Sequence, residues 1–194
     1  MLGKTHKAFG VATMSGIGIA YNQFTQQTLP QPFLSQADDQ FGFAGLFVAT
    51  VLLAGSLMGA SYPDIDQELP IKHRGATHTL WGVGIVIAIA IWAHIAQPMG
   101  VIWTAKFLLP LLVGFATGYL SHLVADAFST AGIAWFYPLQ QYKSYGNGAE
   151  VVKGNRFIFQ PIYKVGQKFF GIPGHIIWWT IATIMTTLWV LTIY

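Results

Sequence analysis

The chain has 194 residues, 54% of them hydrophobic and 9% charged, with a net charge of +3 and a mean hydropathy of +0.51. A soluble domain carries about 25% charged residues, so water is excluded as the main surrounding, and the basic residues are too scattered to hold nucleic acid. Cysteine is absent, which rules out disulfides and thiolate ligands and leaves His and carboxylate as the only strong metal donors.

The first apolar stretch, Ala8–Tyr21, is short and rich in Gly, Thr and Ser. Lys4 and Lys7 precede it as in a signal peptide. However, Tyr21-Asn22-Gln23-Phe24 is a poor cleavage site, so the stretch is expected to stay as a short helix shielded by its neighbours. Further apolar stretches at Ala44–Ala60, Leu80–Ala96, Phe107–Asp126 and His175–Tyr194 reach or approach the ~17–25 residues of a membrane-crossing helix. The last carries Trp178, Trp179, Trp189 and Tyr194, which suit interfacial belts. Gly55/Gly59 and Gly114/Gly118 are small-xxx-small pairs that let helix backbones approach in lipid. Residues 114, 118, 122 and 126 step by four along one helix, so His122 and Asp126 share the glycine stripe and are turned toward neighbouring helices.

The polar segment Ala127–Gly174 opens on the aromatic cluster Trp135-Phe136-Tyr137-Pro138 and contains a turn signal at Gly146-Asn147-Gly148. Ile162, Val165 and Phe169 lie at helical spacing, with Lys164 and Lys168 on another face. That pattern fits an interfacial amphipathic segment, and a plain basic loop fits equally.

These elements predict an all-α fold: a single domain over 1–194, built as a polytopic bundle of about five membrane-embedded helices. With five crossings, Lys4, Lys7, Lys72, Arg74, Lys143, Lys153, Arg156, Lys164 and Lys168 fall on one side and Lys106 on the other. Basic residues favour the cytoplasm, so the N-terminus is expected inside and the C-terminus outside.

The same count places His6, Asp64, Asp66, His73, His78, His122 and Asp126 together on the cytoplasmic face. Ionisable groups at the ends of membrane helices are costly to keep and point to function. His122 and Asp126, one helical turn apart, can reach one ion. Of the Asp64/Asp66 pair, one carboxylate can bind metal and the other can orient a His ligand. Each residue has a plainer reading. Asp64 and Asp66 suit turn chemistry, Lys72 and Arg74 suit positive-inside loops, and His122 with Asp126 suits a hydrogen-bonded pair. His94 and His175 are read as ordinary interfacial histidines. Convergence of the others on one face favours a metal site. Imidazole and carboxylate without thiolate suit zinc, manganese or iron, and ligand softness alone does not choose among them.

At these residues the chain resembles the inner-membrane-bound predicted metal-dependent hydrolases, a family with some members under LexA control. The resemblance rests on Thr5-His6, Pro63-Asp64-Ile65-Asp66, His73-Arg74-Gly75-Ala76-Thr77-His78 and Gly118-Tyr119-Leu120-Ser121-His122-Leu123-Val124-Ala125-Asp126. It covers residues 5 to about 138. That family is remotely similar to zinc phospholipases C and single-strand-specific zinc nucleases. The resemblance implies that His122 and Asp126 are metal ligands, completed by one of Asp64/Asp66 and by His6, His73 or His78. The chain lacks the additional downstream His/Glu ligands of those enzymes, since only Glu150 and His175 follow Asp126, so one or two ions, zinc first with manganese or iron as alternatives, are expected in place of a full three-metal cluster.

The expected activity is metal-dependent hydrolysis of a phosphoester in a membrane lipid or lipid-linked substrate. Asp64, Asp66 and Arg74 form the catalytic group, with Arg74 clamping phosphate. A nuclease and a non-catalytic metal-binding scaffold are the alternatives. The bilayer is the expected partner, and no specific nucleic-acid binding is expected.

Overall fold

The computed structural model describes residues 3–28, 43–68, 76–95, 107–127, 133, 135–136, 138–139, 142–145, 149–152, 168–169 and 172–193. Among the described residues five helices carry the fold: α1 (Gly3–Thr28), α2 (Phe43–Ser61), α3 (Leu80–Ile95), α4 (Leu109–Ala127) and α5 (Gly174–Ile193). Of the described residues, three stretches are long and apolar enough to cross a membrane: Gly45–Gln67, Leu109–Ala127 and Gly174–Thr192. The apolar part of α3, Leu80–Ala93, is shorter.

The all-α expectation and the positions of the four long stretches hold. The first helix differs, running 26 residues where a short one was predicted. Its low hydropathy does not end it, because its polar residues face other helices and not lipid. Thr5, Ser15 and Asn22 are buried. Ser15 Oγ meets Thr186 Oγ1 at 2.9 Å, and Asn22 Nδ2 donates to Thr192 Oγ1 at 3.0 Å. The longer helix also takes in His6, which sequence reasoning had set ahead of it.

The tightest packing joins α2 and α4. Added Cβ atoms at Gly55 and Gly59 would strike the carbonyl oxygens of Leu111 and Phe115, and at Gly114 and Gly118 those of Leu52 and Ser56. The matched numbering means that α2 and α4 run parallel, with backbones in contact along four glycines. The chain returns between them through α3, which packs on α4. There Val83 joins a core of Tyr119, Leu123, Ala127 and Ile133.

α1 crosses this pair at Gly10. A Cβ there would lie 2.8 Å from Ala60 Cβ and 3.3 Å from Ser121 Oγ. Ser56 Oγ donates to the Gly10 carbonyl at 3.0 Å. On its other side α1 lies parallel to α5, with Phe9 edge-on to Trp178 at the start of α5 and Trp189 lying over Gly18 near its end.

Short strands complete the described structure. Tyr142–Tyr145 (β1) pairs antiparallel with Ala149–Val152 (β2) on either side of the predicted turn. Lys168–Phe169 (β3) pairs with Ile172–Pro173 (β4). Lys168 and Phe169 are therefore in a strand, which corrects the helical spacing read there, while Ile162, Lys164 and Val165 lie outside the described residues. After α4, Trp135 and Phe136 fold back on α3, Phe136 edge-on to Trp81. The carbonyl of Trp135 accepts from the Leu80 N–H at 2.9 Å, which satisfies a donor that the helix start leaves open.

Candidate metal centre

The α2–α3 connection begins with a tight helical turn of the 3-10 kind, Tyr62–Gln67. In this geometry residues three apart share a face. Pro63 and Asp66 are accordingly buried. Asp64 and Gln67 form a second face, with Gln67 Nε2 donating to Asp64 Oδ1 at 2.8 Å. Tyr62 and Ile65 form the third and are exposed. The period thus sends the two aspartates to different places. A second such turn, Ala76–His78, precedes α3 and buries His78.

His6 comes from the start of α1, Asp64 and Asp66 from the first turn, His78 from the second, and His122 with Asp126 from the last turns of α4. All six meet at one end of the bundle, and all but Asp64 are buried. The Asp64 side chain is 25% exposed. His6 Nε2 is 3.4 Å from Asp126 Oδ1. Across the pocket, Asp126 Oδ2 is 3.4 Å from His78 Nε2 and 3.6 Å from His122 Nε2. Asp64 Oδ1 stands 3.7 Å from His122 Nε2 and 3.9 Å from His78 Nε2. His6 stacks on His122 with centroids 4.0 Å apart.

Most of these separations exceed a good hydrogen bond. They match the spacing of two ligands on one tetrahedral ion, about 3.3 Å for bonds of roughly 2.0–2.1 Å. Two triples qualify as cation seats, His6/His122/Asp126 and Asp64/His78/His122, each with donor atoms within 4.8 Å of one another. The buried His122 Nε2 has no hydrogen-bond partner among the described residues, while His122 Nδ1 lies 2.7 Å from the Ala60 carbonyl. A carbonyl only accepts, so the proton sits on Nδ1 and the Nε2 lone pair points into the pocket. These residues fit a divalent cation.

His78 is set in the same way. Thr77 Oγ1 donates to Asp66 Oδ2 at 2.6 Å and lies 3.1 Å from His78 Nδ1, which is itself 3.2 Å from Asp66 Oδ2. With its one proton given to Asp66, Thr77 can only accept from His78, so Nδ1 carries that ring's proton. Burial lowers the His78 pKa, but the carboxylates of Asp126 and Asp66 beside the ring raise it by more, and the net value lies above the ordinary 6.5.

Sequence reasoning missed the supports. Tyr119 donates its hydroxyl proton to the Thr77 carbonyl and packs on Gly82, tying α4 to the His78 turn. Tyr119 and Thr77 lie inside motifs quoted above, yet nothing in their residue types announces these bonds. The Ala60 carbonyl has no sequence signature at all. Lys72, His73 and Arg74, among them the predicted ligand His73 and the predicted phosphate clamp Arg74, lie outside the described residues. His175, at the start of α5, is not among the donors grouped here.

No curated protein and no solved structure matches the chain. The family model described as YdjM inner membrane protein matches residues 1–194. Buried polar donors at the ends of apolar helices are what a membrane protein with a site at its rim requires, and the chain belongs to the YdjM inner membrane protein family.

Proposed function

We propose that the chain is a membrane-bound, metal-dependent hydrolase that cleaves a phosphoester in a lipid or lipid-linked substrate. The observation that carries this reading is the meeting of His6, Asp64, Asp66, His78, His122 and Asp126 from four chain segments, all but Asp64 buried, with imidazole nitrogens facing carboxylates. Donors grouped in this way, next to one partly exposed carboxylate, suit a catalytic centre with a side accessible to water. The likeness of the motifs to the metal-dependent hydrolases supports the same class.

A divalent cation held there supplies Lewis acidity and brings the pKa of a coordinated water to about 7. The residues of the chain do the rest. Asp64, partly exposed and steadied by Gln67, takes the proton as the water oxygen bonds to phosphorus. Asp66 faces His78 and Thr77 and so orients a ligand. The ester P–O bond breaks, and the leaving oxygen takes a proton from solvent. Arg74, close in sequence to His78, clamps the phosphate oxygens.

A lipid substrate is favoured because the donors sit where apolar helices end, at headgroup depth, and because exposed Tyr62 and Ile65 flank Asp64. The basic residues that the sequence count gathers on the donor side support a cytoplasmic position for this end.

The test is hydrolysis of phospholipid in mixed micelles, and of a nitrophenyl phosphodiester, by the detergent-purified protein. Chelation, His122→Ala and Asp126→Ala should each lower the rate at least ~100-fold. Undiminished rates after all three would end the proposal. A non-catalytic metal site is the second reading, favoured by the nearness of Asp64 Oδ1 to both imidazoles, which would fill a fourth position. A cobalt-substituted sample whose absorption does not respond to added phosphate would support it.

A further inference from the structure

The two donor triples share His122, and that sharing limits what they can hold. Neutral imidazole has one lone pair, and His122 has its proton fixed on Nδ1 by the Ala60 carbonyl at 2.7 Å. Its Nε2 can therefore serve one cation, not one in each triple.

The three histidines are also held differently. Metal-binding histidines characteristically give their other N–H to a carbonyl or carboxylate. His122 does so to Ala60, and His78 faces Asp66 and Thr77. His6 lacks such a support. Its buried Nδ1 has no hydrogen-bond partner among the described residues, and its Nε2 faces Asp126 Oδ1. That is the carboxylate oxygen other than the one facing His78 and His122. The rings of His6 and His122 are stacked, with centroids 4.0 Å apart and 23° between their planes, so an ion in the plane of one ring lies out of the plane of the other. Charge gives the same answer. Two divalent cations would exceed what the carboxylates of Asp64, Asp66 and Asp126 can neutralise, in a pocket where unbalanced charge is costly.

We propose that this end of the bundle seats a single divalent cation on His78 Nε2, His122 Nε2 and Asp126 Oδ2, with Asp64 across the remaining side. His6 and Asp66 act from outside as positioning residues, His6 by holding Asp126 and Asp66 by holding His78. The proposal rests on the metal-centre reading above and narrows it, since His6 and Asp66 were both candidate ligands from sequence.

The experiment loads chelator-stripped, detergent-purified protein with zinc or cobalt, removes excess metal by desalting, and counts ions per chain by elemental mass spectrometry. One ion per wild-type chain is expected. Two would overturn the count while leaving a metal-dependent reaction standing, and none would overturn both. His6→Gln and Asp66→Asn should each still bind one ion, with affinity lowered about 10–100-fold and with the wavelengths of the cobalt d–d bands unchanged. His78→Ala and His122→Ala should lose the ion or shift those bands. A band shift or loss of the ion in His6→Gln or Asp66→Asn would make that residue a ligand and overturn its assignment. The wild-type count decides the main claim even where a variant fails to fold.

Discussion

The bundle has two parallel helix seams built on opposite principles. Between α2 and α4 the meeting surfaces are backbone, since a Cβ at Gly55, Gly59, Gly114 or Gly118 would strike a carbonyl of the partner helix. Between α1 and α5 they are side chains. A Cβ at Gly16 would meet only the tip of Met185, at 3.3 Å, and one at Gly18 would meet the Trp189 ring, while Ser15/Thr186 and Asn22/Thr192 supply polar contacts. Backbone has nowhere to go, whereas side chains can turn. The first seam is therefore the stiff one, and it is the seam that carries Asp64, Asp66, His122 and Asp126 at its end. The second holds only His6, through α1.

The widest gap between the seams should come from bulk added at glycine. Gly118→Leu is expected to cost about 3 kcal/mol or more and to abolish metal binding, read by thermal unfolding in detergent and by elemental analysis. Gly18→Leu, which displaces Trp189, should cost about 1–3 kcal/mol yet leave one ion bound. Equal metal loss in both variants would erase the distinction.

Acidification should act next, and on one seam only. Because the His78 pKa is raised above 6.5, the proton competes with the cation from a higher pH than at an ordinary imidazole. Affinity should fall about tenfold per pH unit below that pKa, and regain its plateau above it. Isothermal titration with zinc across this range measures the fall, and a pH-independent affinity would remove His78 from the ligands.

The smallest effect belongs to the polar contacts of α1 with α5. Removing the Ser15/Thr186 pair as Ser15→Ala with Thr186→Val should give a coupling of only about 0.6 kcal/mol in a double-mutant cycle. A value several times larger would mean that this seam is as unforgiving as the other.

How far the sequence reveals this depends on the range of each signal. The glycine pairs and the four-residue step from Gly114 to Asp126 are local and periodic, so the α2/α4 face and its donors were legible. Which of Asp64 and Asp66 faces the pocket was not, because the answer comes from the threefold period of a short turn that Pro63 begins. The length of α1 was hidden by its Thr, Ser and Asn residues, which read as a weak span until α5 is seen covering them. The Ala60 carbonyl and the Tyr119 hydroxyl act on backbone or through it, and no residue pattern encodes such a bond.

The contact between Ser15 and Thr186 joins residues 171 positions apart, which orders events during synthesis. Every described donor has been translated once Asp126 leaves the ribosome, long before α5 exists. α2 and α4 can zip together through their glycines while the nascent chain is still growing, and α1 can rest on them at Gly10. The last helix made then clasps the first, closing the bundle around a pocket whose parts are already gathered.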